Sequence, residues 1–225
     1  IYLFSLLHCI GVALAQVPNF DYPRLLQTSA GYIIEQNEYG CPTFGDWDND
    51  GVFDQTGITG DVTHDFSSAG TYTIRIQGAF PGIYFLASNA DLLKILSVDQ
   101  WGSIPWASMT DAFHNCQNLV INATDNPNLS GVSNLNGTFR GCTSLNQGLS
   151  AWDVSQVTAL FETFQGCTSF NSDISGWEVS NVTNMSLTFN GAAAFNQPIG
   201  SWNTQNVTDM SVMFSGASAF NQPIG

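Results

Sequence analysis

Asp46, Asp48, Asp50 and Asp54, with Gly51 among them, spell D-x-D-x-D-G-x-x-D. Alternating carboxylates with a glycine at the sixth place let a tight loop wrap hard oxygen ligands around Ca²⁺. The twelfth place is Gly57, where an EF-hand has its bidentate Glu, and no helix is expected on either side. The competing reading is a β-hairpin turn, in which Asp, Asn and Gly serve backbone geometry. The four carboxylates are therefore either a Ca²⁺ site or a turn, and no other cofactor is called for.

The remaining chemistry-bearing residues form no catalytic set. His8, His64 and His114 are scattered, and no Ser or Cys nucleophile stands in a motif with them. Asp153, Asp173 and Glu178 lie in polar turns of a repeat and are missing from some copies, as expected of a solvated face. Cys116, Cys142 and Cys167 share one repeat position that becomes Ala192 and Ala217 in later copies. A site that accepts Cys or Ala wants a small buried side chain, so stacked free thiols are expected. Their spacing has no C-x-x-C pair and speaks against metal binding. Thr158, Thr183 and Thr208 form a ladder that helix capping explains without ice binding. Sequons such as Asn181-Val-Thr183 and Asn206-Val-Thr208 come with the repeat. No enzyme is expected.

The elements that must position these residues follow from self-similarity. GCTSLNQGLSAWDVSQVTALFETFQ, GCTSFNSDISGWEVSNVTNMSLTFN and GAAAFNQPIGSWNTQNVTDMSVMFS superpose without gaps, which sets a 25-residue period. Phe139, Phe164, Phe189 and Phe214 keep that step, as do Val132, Val157, Val182 and Val207. A degenerate first copy, WGSIPWASMTDAFHNCQNL, is offset by 26 and joined through VINATDNPNLSG. Within each copy, Thr158 and its equivalents Ser133, Thr183 and Thr208 are expected to cap a short helix. Leu160 and Phe164 would lie on its inner face, and Gly141, Gly166, Gly191 and Gly216 would end it. One short strand is expected around Leu149, Ile174 and Ile199. The inward set is Phe170, Ile174, Trp177, Val182, Met185, Phe189 and Ala192. The predicted fold class is an α/β repeat: a leucine-rich-repeat-like solenoid with one short strand and one short helix per copy, Phe164, Phe189 and Phe214 stacked in one column. Exposed on its strand face would be Gln147, Asp173 and Gln197, with Ser150, Ser175 and Ser201 beside them.

The string SGWEVSNVTNMSLTFNGAAAFNQPIGSWNTQNVTDMSVMFSGASAFNQPIG resembles the BspA-like leucine-rich-repeat surface proteins, in the branch with mycoplasma-type 25-residue repeats of unknown function. The likeness covers about residues 95–225 and is sharpest over 139–225. It implies a secreted or surface-displayed protein of a family in which some members are adhesins for host or matrix proteins, with no catalytic residues to carry over. Before the repeats, DWDNDG followed by THDFSSAGTYTIRIQG is similar to PKD-type β-sandwich domains over about 44–78. GYIIEQN, DVTHDF, GTYTIRIQG and GIYFLAS have the composition of strands. This resemblance implies a small all-β, PKD-like domain at 16–94, capping a repeat array at 95–225.

IYLFSLLHCIGVALAQ reads as the back half of a secretory signal peptide, cut after Ala15, so residues 1–15 are assigned to it. It is too short an apolar run to span a bilayer. The chain stops at Gly225 within a repeat and is expected to be part of something longer. With 4 Lys plus Arg against 18 Asp plus Glu, the net charge is -14. Nucleic acid and direct membrane insertion are excluded as partners on that balance. The expectation is a secreted or cell-surface, non-catalytic scaffold for an extracellular protein or polysaccharide surface. A structural envelope or matrix component is the alternative, and an accessory module of a carbohydrate-active enzyme a remote third.

Overall fold

The computed structural model describes residues 24–28, 32–34, 43–46, 50–58, 62–64, 71–78, 82–83 and 92–224. The leader at 1–15, Cys9, Cys41 and Asp48 lie outside them, as does most of GIYFLAS.

The N-terminal strands are β1 (Arg24–Thr28), β2 (Tyr32–Ile34), β3 (Thr43–Asp46), β4 (Gln55–Ile58), β5 (Val62–His64) and β6 (Tyr72–Gly78). β7 (Ser97–Val98) and β8 (Val120–Ile121) follow, after a 3₁₀ turn at Leu92–Lys94. Six strands form one sheet in the order β4-β3-β6-β1-β7-β8, and β2 pairs with β5 separately. β6 lies at its centre because YTIRIQG alternates: Ile74 and Ile76 are buried, and a strand sends every second side chain to one face. β1 pairs antiparallel with β7 at Leu25↔Val98, and β7 pairs parallel with β8. The sheet begun before position 94 thus runs on into the first layer of the repeats.

The α/β leucine-rich-repeat-like solenoid is not what the repeats form. Residues 101–224 contain no helix, and their only strand is β8. Beyond it there are isolated parallel bridges, Asn134↔Ala159, Ala159↔Asn184 and Asn184↔Asp209. These fall where the helix was expected to start, and no strand forms around Leu149, Ile174 or Ile199.

The backbone donors explain why. In an α-helix every N–H points along the axis to the carbonyl four residues back. Here the donors alternate. Thr163, Gln165 and Cys167 close turns onto Leu160, Glu162 and Phe164, three residues back. Leu160, Glu162, Phe164 and Gly166 donate out of the copy, to the carbonyls of Asn184, Ser186, Thr188 and Asn190. The two neighbouring copies repeat the same scheme from Leu135 and Met185. Two columns of residues take the left-handed conformation that a right-handed helix forbids. One column is Asn115, Gly141, Gly166, Gly191 and Gly216; the other is Asp111, Gly137, Glu162, Leu187 and Val212. The glycines expected to end a helix are indeed left-handed, but they lie in a string of turns.

The 25-residue step brings equal positions into contact. Phe113, Phe139, Phe164, Phe189 and Phe214 stack with ring centroids 5.7–5.9 Å apart and planes within 14° of parallel. Phe170, Phe195 and Phe220 form a second column at 5.7–5.8 Å. The columns interlock through Phe164–Phe170 at 4.0 Å, Phe189–Phe195 at 3.9 Å and Phe214–Phe220 at 4.2 Å. All seven residues of the inward set are buried. Trp177 and Trp202 complete the core, each donating Nε1–H to a carbonyl of the preceding copy, Leu149 at 2.9 Å and Ile174 at 3.2 Å. Trp152 Nε1 is buried with no acceptor among the described residues, because the irregular segment at 122–129 precedes it.

Phe189 touches Phe164, Phe195, Phe214 and Trp202. Truncation to Ala leaves a cavity that stacked backbones cannot close, so Phe189→Ala should cost about 3–5 kcal/mol in urea denaturation. A loss under about 1 kcal/mol, the scale of a surface substitution, would mean that the ring columns do not hold the layers together.

Candidate functional site

The carboxylate loop is only partly in view. Asp46 ends β3, and the side chains of Asp46 and Asp48 are outside the described residues. Asp50 and Asp54 are exposed. Asp50 Oδ1 accepts the Val52 N–H at 2.7 Å, and Gly51 has φ +94°, so this part of the loop is a side-chain-capped turn.

The face that carries Gln147, Asp173 and Gln197 is built from turns, not from a strand. Gln147 and Asp173 are exposed; Gln197 is half-buried and committed. Its Nε2 donates to the Asn171 carbonyl at 2.8 Å and to Asn171 Oδ1 at 2.9 Å. Asn171 belongs to a ladder that was not among the expected features. The N–H of Asn171 donates to Asn146 Oδ1 at 2.7 Å, that of Asn196 to Asn171 Oδ1 at 2.8 Å, and that of Asn221 to Asn196 Oδ1 at 2.8 Å. The signal was present in the sequence, because these asparagines recur at the repeat period.

A second surface ladder replaces the expected helix caps. Thr158, Thr183 and Thr208 each send both the N–H and Oγ1–H to the carbonyl at the same position of the preceding copy, on Ser133, Thr158 and Thr183. Asn181 and Asn206 run beside them, donating Nδ2–H to Ser155 and Ser180 at 2.8 and 2.7 Å. Inside, Thr138, Thr163 and Thr188 form a third ladder, fully buried, with Oγ1–H of Thr163 and Thr188 on the carbonyls of Leu135 and Leu160 at 2.9 Å. A buried hydroxyl is tolerated only with such a partner.

Exposed carboxylates are held ionised by serines two residues on. The Ser175 hydroxyl and N–H both donate to Asp173, lowering its pKa; Ser155 and Ser180 do the same for Asp153 and Glu178. At Asp209 the Ser211 N–H is the larger cause. Arg140 is paired with Glu162, Nη1 to Oε2 at 2.8 Å. His114 lies beside them with a lowered pKa, first because burial disfavours its charged form and second because Arg140 repels it. No nucleophile stands by this group in the hydrogen bonds of the described residues.

Cys116, Cys142 and Cys167 are free and buried. Cys142 and Cys167 donate S–H to the carbonyls of Phe113 and Phe139 at 3.0 and 2.9 Å. Burial raises all three thiols, Cys167 to about 12. Thiolate, not thiol, does chemistry, so these are packing groups.

The family model described as "Mycoplasma protein of unknown function, DUF285" matches residues 107–225, more than half of the 225-residue chain. The chain belongs to the DUF285 family. No curated protein and no solved structure matches it. The DUF285 match begins within the first, offset copy and takes in all three ladders. It carries no assigned activity.

Two outcomes follow from the ladders of this DUF285 segment. Raised thiol pKa values mean that the folded state keeps protons which the unfolded chain releases above about pH 9. Stability should therefore be complete below that pH and fall as pH rises toward 12. Cys142→Ala with Cys167→Ala, which follows the choice the chain itself makes at Ala192 and Ala217, should flatten the decline in alkaline denaturation curves. An equal decline in the double variant would assign it to other groups. In NMR titration, Ser175→Ala should return the Asp173 pKa toward its ordinary value; an unmoved pKa would mean that Ser175 does not hold the charge.

Proposed function

We propose that this DUF285 chain is an exported, non-catalytic recognition scaffold that holds a macromolecular partner, protein or polysaccharide, at the cell surface. The observation that carries the reading is the locking of surface polar groups between layers. Thr158, Thr183, Thr208, Asn181 and Asn206 are each fixed by a hydrogen bond to the copy before. A surface whose side chains are already ordered loses little entropy on binding, and repeated positions allow many shallow contacts at once. Asp153, Asp173, Glu178 and Asp209 stay ionised on this surface and add to a chain charge of -14. Such a field attracts cationic partners and fades with salt. The likeness of residues 139–225 to BspA-like surface proteins, and of 44–78 to PKD-type domains, supports the same extracellular setting.

One observation favours a second reading, a structural envelope or matrix component. Gln197 and Asn171 spend their amides on the ladder itself.

The full chain, probed on an array of glycans and matrix proteins, separates the two. Attachment that weakens several-fold on raising salt from 50 to about 500 mM, and again in Asp173→Asn/Glu178→Gln, is expected for the scaffold. Uniform silence favours the structural component, and hydrolysis of an array glycan would overturn both.

A further inference from the structure

Six asparagines stand in N-x-S/T sequons: Asn122, Asn128, Asn136, Asn181, Asn184 and Asn206. A sequon marks an acceptor for N-glycosylation in an exported chain, but the type of residue alone does not distinguish among the six. The structure does, through two requirements on the side-chain amide. Nδ2 must reach solvent, and it must not be needed as a donor by the fold.

Asn181 and Asn206 have the sequon Asn-Val-Thr, and both are exposed. Yet each spends Nδ2–H on a carbonyl of the preceding copy, Ser155 at 2.8 Å and Ser180 at 2.7 Å. Their threonines are equally committed, with Oγ1–H on the carbonyls of Thr158 and Thr183. A sugar on either Nδ2 would sit beside the carbonyl of the preceding copy that this nitrogen already serves. Asn122 spends Nδ2–H on Asp99 Oδ1 at 3.1 Å. Asn136 and Asn184 engage through Oδ1, accepting the Phe161 N–H and the Ser186 N–H and hydroxyl, but both residues are half-buried.

Of the six, Asn128 combines exposure with a side-chain nitrogen that donates no bond among the described residues. It is exposed, and the bonds its side chain makes are all through Oδ1, which accepts the Ser130 N–H at 3.2 Å and the Ser130 hydroxyl at 2.8 Å. Its backbone is fixed by the Trp106 N–H on the Asn128 carbonyl at 3.0 Å. The residue lies in the irregular segment between the first two copies, where it forms an isolated parallel bridge with Pro105.

From this we infer that Asn128 is the N-glycan acceptor of the folded chain, and that the two Asn-Val-Thr sequons are structural. The inference rests on the exported setting proposed above. The donor is an oligosaccharide on a polyisoprenyl pyrophosphate. A bond forms between Nδ2 and the sugar C1 as the C1–O bond to pyrophosphate breaks. One Nδ2 proton passes to the transferase, and the lipid pyrophosphate leaves with the bonding pair.

The test is to express the full chain in insect cells behind a host leader, so that the outcome does not depend on the chain's own export. Sites are mapped by peptide mass after glycosidase release in H₂¹⁸O, on both secreted and intracellular chain. The expected result is occupancy at Asn128, with Asn181 and Asn206 bare in the secreted, folded pool. Asn128→Gln and Ser130→Ala should each remove that glycan. An unoccupied Asn128 in both pools would overturn the inference. So would a secreted chain glycosylated at Asn181 or Asn206 that melts as the bare one does. Failure of the chain to bind any array component would bear on the scaffold reading and leave this one standing.

Discussion

Every second backbone N–H in the turn string leaves its own copy and finds a carbonyl in the next. That alternation is the constraint on which the repeats depend. From Leu160 to Gly166 the outgoing donors bond at 2.7–3.2 Å, Thr163 and Gln165 close turns within the copy, and Phe161 donates back to Asn136 Oδ1 of the preceding copy. Each bond is worth only about 0.5–1.5 kcal/mol net, but leaving a buried donor unmet costs more than making the bond gains. A copy therefore cannot satisfy its own backbone. It is complete only when another copy lies against it, as in other repeat proteins whose units contact nearest neighbours.

The side chains follow the register that the backbone imposes. Once equal positions superpose, a residue type favourable in one copy meets itself in the next. Phenylalanines become columns, threonines and asparagines become hydrogen-bonded ladders, and glycines pack Cα over Cα. The Cβ that Gly216 lacks would stand 3.3 Å from the Gly191 Cα, closer than a neighbouring backbone readily yields. Left-handed φ and close approach thus ask for the same residue at that column. The neighbouring column shows the cost of departing from it, since Glu162, Leu187 and Val212 hold positive φ values of 57–59° without glycine's freedom. Interlayer bonds from Glu162 and Leu187 hold two of them there.

The first copy shows what happens where the period slips. Its step is one residue longer than the others, yet its donors still reach across: Asp111, Phe113 and Asn115 bond to Asn136, Thr138 and Arg140. The following segment departs from the 25-residue register, with Asn122 and Ala123 both donating to the Val98 carbonyl and Asn128 bridging to Pro105. Asp125 compensates, accepting the N–H groups of Trp101 at 3.0 Å and Gly102 at 2.7 Å with its two oxygens. The same irregularity leaves Trp152 Nε1 without an acceptor among the described residues and Asn128 free of the ladder.

From residue types and spacing alone came the 25-residue unit, the inward set from Phe170 to Ala192, the free and buried cysteines, and the strands at GTYTIRIQG and DVTHDF. Each of these depends on burial or period, which the order of residues records directly. Tertiary contact decided the rest. Leu160, Thr163, Phe164 and Cys167 are buried at i, i+3, i+4 and i+7, the pattern of a helix face. A string of turns winding three to four residues at a time buries the same positions, so the pattern cannot tell the two apart. Only the destination of the N–H groups can, and that destination is on another copy. Thr158 illustrates the same point at one residue. Its type suits a helix cap, but its hydroxyl goes to the carbonyl of Ser133, because a neighbouring copy lay within reach and a helix did not form. Gln197 was legible as polar and surface-placed, while its commitment to Asn171 depended on the layers being in register. Hydrogen-bond partners distant in sequence are set by packing, and packing is what the stacked aromatic columns determine.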